Sequence, residues 1–324
     1  MTTFLEAVQA YVERKRSEGL NYAKAEQILL SLSRYVGHSA LERVTARQVA
    51  SFLDGPKTSP VSWEKKYGLL RAFFDFWLAR GEMQILPLPA KRKTSPRVFI
   101  PYIYSQTEIR ELLKAAQASQ QEVWCRIDAR TVRTFLIFLY GTGALLGEAH
   151  RLLLKDVNLK KGTVTIRGNQ FNRSRTIPIS SDLREILGRY MKARLRHGTN
   201  DPHFFVNKSG EGLNINTLSS TFKRIRRHSR VVRRDGAHYQ PRLHDLRHTF
   251  AVHRIAGWIR HGADLNRMLP ALAVYMGQAG LGSTERYLSL TPERFRTQLA
   301  KLSPKRGRKR WRDDAALMKF LAEL

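Results

Sequence analysis

Residues 87–101 read PLPAKRKTSPRVFIP, with four prolines in fifteen positions. Proline has no amide donor and locks its own φ, so no helix runs through such a stretch. The run Lys91-Arg92-Lys93, followed by Arg97, makes it basic as well. This composition favours an extended basic strap, and the strap divides the chain. Residues 1–86 form one expected domain, 102–302 a second, and 303–324 a tail. A length of 324 residues agrees with about two domains. The strap is either a solvated linker or one that lies along a phosphate backbone.

Charge narrows the class of partner. The chain carries 57 Lys+Arg against 27 Asp+Glu, a net charge of +30. A folded body of that sign calls for a polyanion, and nucleic acid is the usual one. Hydrophobic residues at 42 % are enough to bury a core, which argues against wholesale disorder. The lone Cys125 excludes an intrachain disulfide framework and any site built on several thiolates. The apolar stretch 134–147 is too short to span a bilayer. The N-terminus has no basic segment followed by an apolar block, so no signal peptide is expected. A cytoplasmic protein without a membrane partner is the expectation.

Apolar spacing places helices in the first domain: Phe4, Val8, Tyr11 and Val12; Ile28, Leu29, Leu32 and Tyr35; Leu69, Leu70, Phe73, Phe74 and Trp77. Thr45 with Gln48 is a capping-box signature, and 54–60 is a loop by its Gly and Pro. In the second domain a helix is expected over 105–116 with Thr107 as N-cap. Others are expected over 131–140 and, after a GTG turn, over about 144–154. Residues 163–167 and 175–179 alternate as short strands, with 203–207 as a third. Seven Lys/Arg in the twelve residues 223–234 form either a solvated charge run or a phosphate contact; Arg226, Arg227, Arg233 and Arg234 are candidates for the latter. In the tail, Ala316, Leu317, Phe320, Leu321 and Leu324 share one helical face. So short a helix must dock, either on its own body or on another subunit.

The segment His244-Asp-Leu-Arg-His248 bears most on chemistry. On a helix His244, Arg247 and His248 share a face. Two imidazoles at this spacing could hold a metal, but the Glu that a metalloprotease motif needs after the first His is Asp here, and a cation beside a metal is repulsive. An anionic oxygen such as a phosphate fits the face better. Downstream, a glycine-rich turn leads to Ser283-Thr-Glu-Arg-Tyr287.

HDLRHTFA at 244–251 and the segment ending at Tyr287 resemble the tyrosine recombinase (phage integrase) family. GTGALLGEAHRLLLKDVNL at 141–159 resembles the family's helix bearing its first active-site arginine, and TVTIRGNQFNRSRTIPI at 163–179 its β-hairpin. The resemblance implies a mainly α fold: a helical, SAM-like core-binding domain, then an α+β catalytic-type domain with a small three-stranded sheet. It implies double-stranded DNA as partner, oligomers up to a tetramer on two duplexes joined through the C-terminal helix, and no cofactor or metal. It also implies that a tyrosine hydroxyl, here Tyr287, attacks the scissile phosphate and forms a 3′-phosphotyrosyl link. Arg247 takes the second arginine position, His244 the first histidine position and His248 the adjacent support. Lys91, Arg92, Lys93, Arg97, Arg173 and Arg175 join the expected DNA contacts.

Three positions depart from the pattern. Leu145 stands where the first arginine belongs, Gln170 where the hairpin lysine belongs, and Gln278 where the second histidine belongs. Losing one oxyanion donor costs ~10²–10³ in rate, and losing a general acid ~10²–10⁴. Two functions therefore stand side by side: a catalytically impaired DNA-binding subunit working beside an active partner, and an active recombinase with a divergent site.

Overall fold

The computed structural model describes residues 2–56, 58–92, 99–120, 124–168, 174–196, 198, 200–237, 239–278, 287, 288 and 290. Lys93, Arg97, Gln170, Arg173 and the 303–324 tail lie outside these. The chain forms two compact units, Met1–Phe99 and Ile100–Leu324.

The first unit is four helices: α1 (Phe4–Ser17), α2 (Ala23–Val36), α3 (Ala46–Leu53) and α4 (Pro60–Leu78). Local chemistry sets their starts. Thr3 with Glu6 and Thr45 with Gln48 form capping boxes, and Ser59 caps α4 ahead of Pro60 in its first turn. The expected apolar stripes meet in one core. Phe4, Tyr11, Phe73 and Phe74 are buried there, with edge-on ring pairs at 5.3–5.4 Å.

The second unit is built around α6 (Ala129–Thr142), which packs against α5 (Gln106–Ala118), α8 (Ser181–Arg196) and α10 (Asp245–Arg260). A one-turn α7 (Leu146–Ala149), α9 (Ile215–His228) and α11 (Leu265–Met276) are further helices among its described residues. Phe135, Phe138, Phe204 and Phe205 are fully buried at its centre. Three short strands, β1 (Val157–Asn158), β2 (Thr163–Ile166) and β3 (Arg175–Pro178), form one antiparallel sheet in that order, with Val164 opposite Ile177. The mainly α fold with a small three-stranded sheet is therefore the expected one. Among the described residues no helix is long and apolar enough to cross a membrane.

Three local expectations are corrected. The cap of α5 is Ser105, which with Glu108 makes a capping box, not Thr107. The helix expected over 144–154 stops at Ala149. Beyond it Leu152 O accepts the Phe204 amide and the Leu154 amide reaches Pro202 O, so pairing across the domain overrides local helix propensity. The third strand is Val157–Asn158, not 203–207. There the Asp201 carboxylate accepts the amides of His203 and Gly212, folding the segment into a turn that makes only isolated bridges.

Candidate active site

The site forms where α6, α10 and α11 end or begin close together. Gly143 ends α6 in the left-handed region, φ 63°. A Cβ there would stand 2.4 Å from Phe250 Cδ1, so only glycine fits. This turn aims the Gly143 carbonyl at Arg247, in the first turn of α10. Arg247 Nη1 donates to Gly143 O at 2.6 Å and Nη2 to Met276 O, at the end of α11, at 2.9 Å. Arg247 is 7 % exposed. Burial draws it below the ordinary arginine value, and the neighbouring Tyr287 and Glu148 oppose that.

Tyr287 is buried. Gln278 Nε2 donates to its hydroxyl at 3.4 Å, and the His248 ring lies 5.7 Å away. His248 in turn meets the His244 ring edge-on at 5.1 Å. Burial, then the neighbouring His244, lowers His248 to about 4. Both therefore favour the neutral ring at neutral pH. His244 is the cap residue of α10; partial burial, then Arg247 and Arg242, hold it below the usual value. Arg247, His248, Tyr287, Gln278 and His244 are thus brought together from segments of sequence 244–248, 278 and 287.

Leu145 precedes α7 and its side chain is 37 % exposed as a residue, offering no donor. Its amide donates to Glu148 Oε2 at 2.9 Å. Glu148 is buried and takes a bidentate ion pair from Arg175 of β3, Nη1 to Oε1 at 2.8 Å and Nη2 to Oε2 at 2.9 Å. Arg175 Nε donates to Tyr275 O at 2.9 Å, and the Tyr275 hydroxyl donates to Pro178 O at 3.2 Å. Gly277 has φ 66°, and a Cβ on it would stand 2.5 Å from Arg175 Nη1. Arg175 is therefore an internal clamp rather than an open phosphate ligand. Glu148, Tyr275 and Gly277 escaped the reading of the sequence; Leu145 lacks the side-chain oxygen that a capping box needs, so the Glu148 carboxylate on its amide had no local signal.

The basic candidates divide by burial. Arg227 and Arg234 are exposed, and Arg226 is half-buried with Nη1 on Gln240 Oε1. Arg233 differs from these: it is buried, with its fork on Asp235 and Nη1 on Ile100 O. In the first unit Lys91 is exposed, and Arg92 pairs with Asp54 at 2.7 Å and stacks 4.9 Å over Trp63. Among the described residues no group of three or more His, Cys, Asp or Glu could hold a metal ion.

The profile of the phage integrase family matches residues 104–294. The y4rB protein of Sinorhizobium fredii, named for an integrase/recombinase, is 30 % identical over 97 % of this chain and 99 % of its own. Tyrosine recombinase XerA of Pyrococcus horikoshii is 26 % identical over 79 % and 80 %. A lambda integrase tetramer bound to a Holliday junction superposes with TM-score 0.63 at 16 % identity, covering 88 % of this chain and 77 % of that one. XerH recombinase bound to its difH substrate superposes at 0.59 and 19 %, covering 86 % and 78 %. At such identities the structural likeness is one of fold.

Proposed function

The chain belongs to the phage integrase family, and from that premise we propose that it binds double-stranded DNA at a defined site and takes part in DNA integration or recombination. Residues 1–86 act as a core-binding domain and 102–302 as the catalytic-type domain, with 87–101 as the basic linker. The chain works as a structural or regulatory subunit, beside an active partner, in the DNA-associated compartment of the cell. Leu145 is the observation that carries this. Its amide is engaged by Glu148 while its side chain presents only carbon where a phosphate would need a second guanidinium. Arg175, the nearby cation, spends one N–H of each of its three nitrogens on Glu148 and Tyr275. One lost oxyanion donor already removes ~10²–10³ in rate.

Geometry at Tyr287 favours the other reading, an active recombinase cleaving through a 3′-phosphotyrosyl intermediate. Gln278 bonds the Tyr287 hydroxyl, Arg247 lies beside it, and His248 flanks it. In that reading Arg247 neutralises the phosphorane, His244 and His248 hydrogen-bond its oxygens, and Tyr287 is the nucleophile.

Covalent trapping separates them. Purified protein is mixed with nicked duplexes tiled from its own locus, and products are run on a denaturing gel beside Tyr287→Phe. Specific binding without a covalent band, together with a band gained by Leu145→Arg, Gln170→Lys, Gln278→His, supports the impaired subunit. A Tyr287-dependent band in the unaltered protein overturns it. Assembly follows the fold relatives, among them a dimer and a tetramer on DNA. We assign the coupling to residues 313–324, by the apolar pattern of their sequence. Deleting 303–324 is expected to spare binding to one half-site and to weaken cooperative binding.

A further inference from the structure

We propose that Arg175 is a positioning residue for Tyr287, tying the β-hairpin to the segment that holds the tyrosine hydroxyl. The inference rests on Tyr287 being the functional tyrosine, but not on whether it cleaves DNA.

Tyr275 is gripped by β3 at both ends. Its carbonyl accepts Arg175 Nε, and its hydroxyl donates to the carbonyl of Pro178, the last residue of β3. The other side of the same guanidinium is fixed in plane by both Glu148 oxygens. A guanidinium held by three acceptors from two other segments cannot turn without breaking a charged bond, each stronger than a neutral one. The last residues of α11 are therefore referenced to β3 and to the α7 turn. They carry the hydroxyl's partners in sequence. Met276 O holds Arg247 beside Tyr287, and Gln278 donates to the Tyr287 hydroxyl directly. Gly277, between them, has no Cβ, and that is what admits the guanidinium at this distance. A displacement of the hairpin base thus reaches the hydroxyl's ligand Gln278 and the neighbouring Arg247 through one residue. Displacements of about 1 Å in such a constellation cost on the order of 10²-fold in rate.

A probe that needs no DNA tests this. Fluorotyrosine is placed at 287 alone in the full chain, and its ¹⁹F resonance is followed in free protein. Arg175→Gln is compared with Arg167→Gln, which cuts the hairpin's other ion pair, to Asp156. Tyr275→Phe removes only the hydroxyl bond to Pro178. Circular dichroism checks folding. The expected result is a shifted or broadened resonance in Arg175→Gln and Tyr275→Phe and an unmoved one in Arg167→Gln. An unmoved resonance in folded Arg175→Gln overturns the proposal, as does an equal shift in all three. If Arg175→Gln fails to fold, Tyr275→Phe decides: a shift supports the coupling and none refutes it. Absence of DNA cleavage leaves every one of these outcomes readable.

Discussion

Replacing Gly143 by alanine tests whether the turn beneath Arg247 is as tight as its geometry indicates. Two costs add. An L-residue in the left-handed region loses ~1–2 kcal/mol, and Gly143 has φ 63°. The new methyl also lands 2.4 Å from Phe250 Cδ1. Phe250 is 4 % exposed and stacks on Tyr275 at 5.8 Å, so its ring has little room to retreat. Overpacking of this kind costs ~1–3 kcal/mol. The sum is ~2–5 kcal/mol for Gly143→Ala. Gly262 is the matched control: φ 68° in the same unit, with nothing within 4 Å of its would-be Cβ. Gly262→Ala then carries only the backbone cost, ~1–2 kcal/mol. Urea unfolding of the two full-length variants gives the difference directly. Gly143→Ala should unfold at clearly lower urea, by the ~1–3 kcal/mol of the clash alone. Equal midpoints would refute the steric argument and leave only backbone strain.

Three further outcomes are expected. His248, lowered to about 4 by burial, refuses a proton that the unfolded chain accepts below ~6.5; its contribution to stability is full above that value and falls as pH drops toward about 4. An NMR titration of the His248 ring with an ordinary midpoint would contradict this. Glu148→Gln strands Arg175 in a buried site and should cost ~3–5 kcal/mol in urea unfolding, whereas Glu148→Gln with Arg175→Met should cost less; a double variant as unstable as the single one would argue against an uncompensated charge. DNA binding should weaken steeply with salt, and exposed Arg227→Ala should flatten the log–log slope by about 0.9, while sealed Arg233→Ala leaves the slope unchanged. A slope that responds to Arg233 instead would show that its pairing with Asp235 opens on DNA.

What the sequence disclosed follows the range of the interactions involved. The capping box at Thr45 and Gln48 needs only three residues, and it forms as written. The spacing of His244, Arg247 and His248 is one helical turn, and the rings do meet. Where partners lie far along the chain, local pattern misleads. The helix expected to 154 gives way at Ala149 because Leu152 and Leu154 pair with Phe204 and Pro202, some fifty residues on. Arg233 looked like part of a basic run, yet its carboxylate is two residues away and its carbonyl partner, Ile100, is distant. Glu148 and Arg175 are 27 positions apart, and only the folded hairpin joins them. Nothing in the spacing of either residue could announce the pair.

The arginines of the site hang in part on main-chain oxygens: Arg247 on those of Gly143 and Met276, Arg175 on that of Tyr275. A carbonyl is offered by every amino acid, so such an anchor is inherited with the backbone rather than with a side chain. Position 276 can drift among residues that fill the same core and still present its acceptor to Arg247. With such anchors Arg247 and Arg175 keep their places whatever side chain stands at position 145.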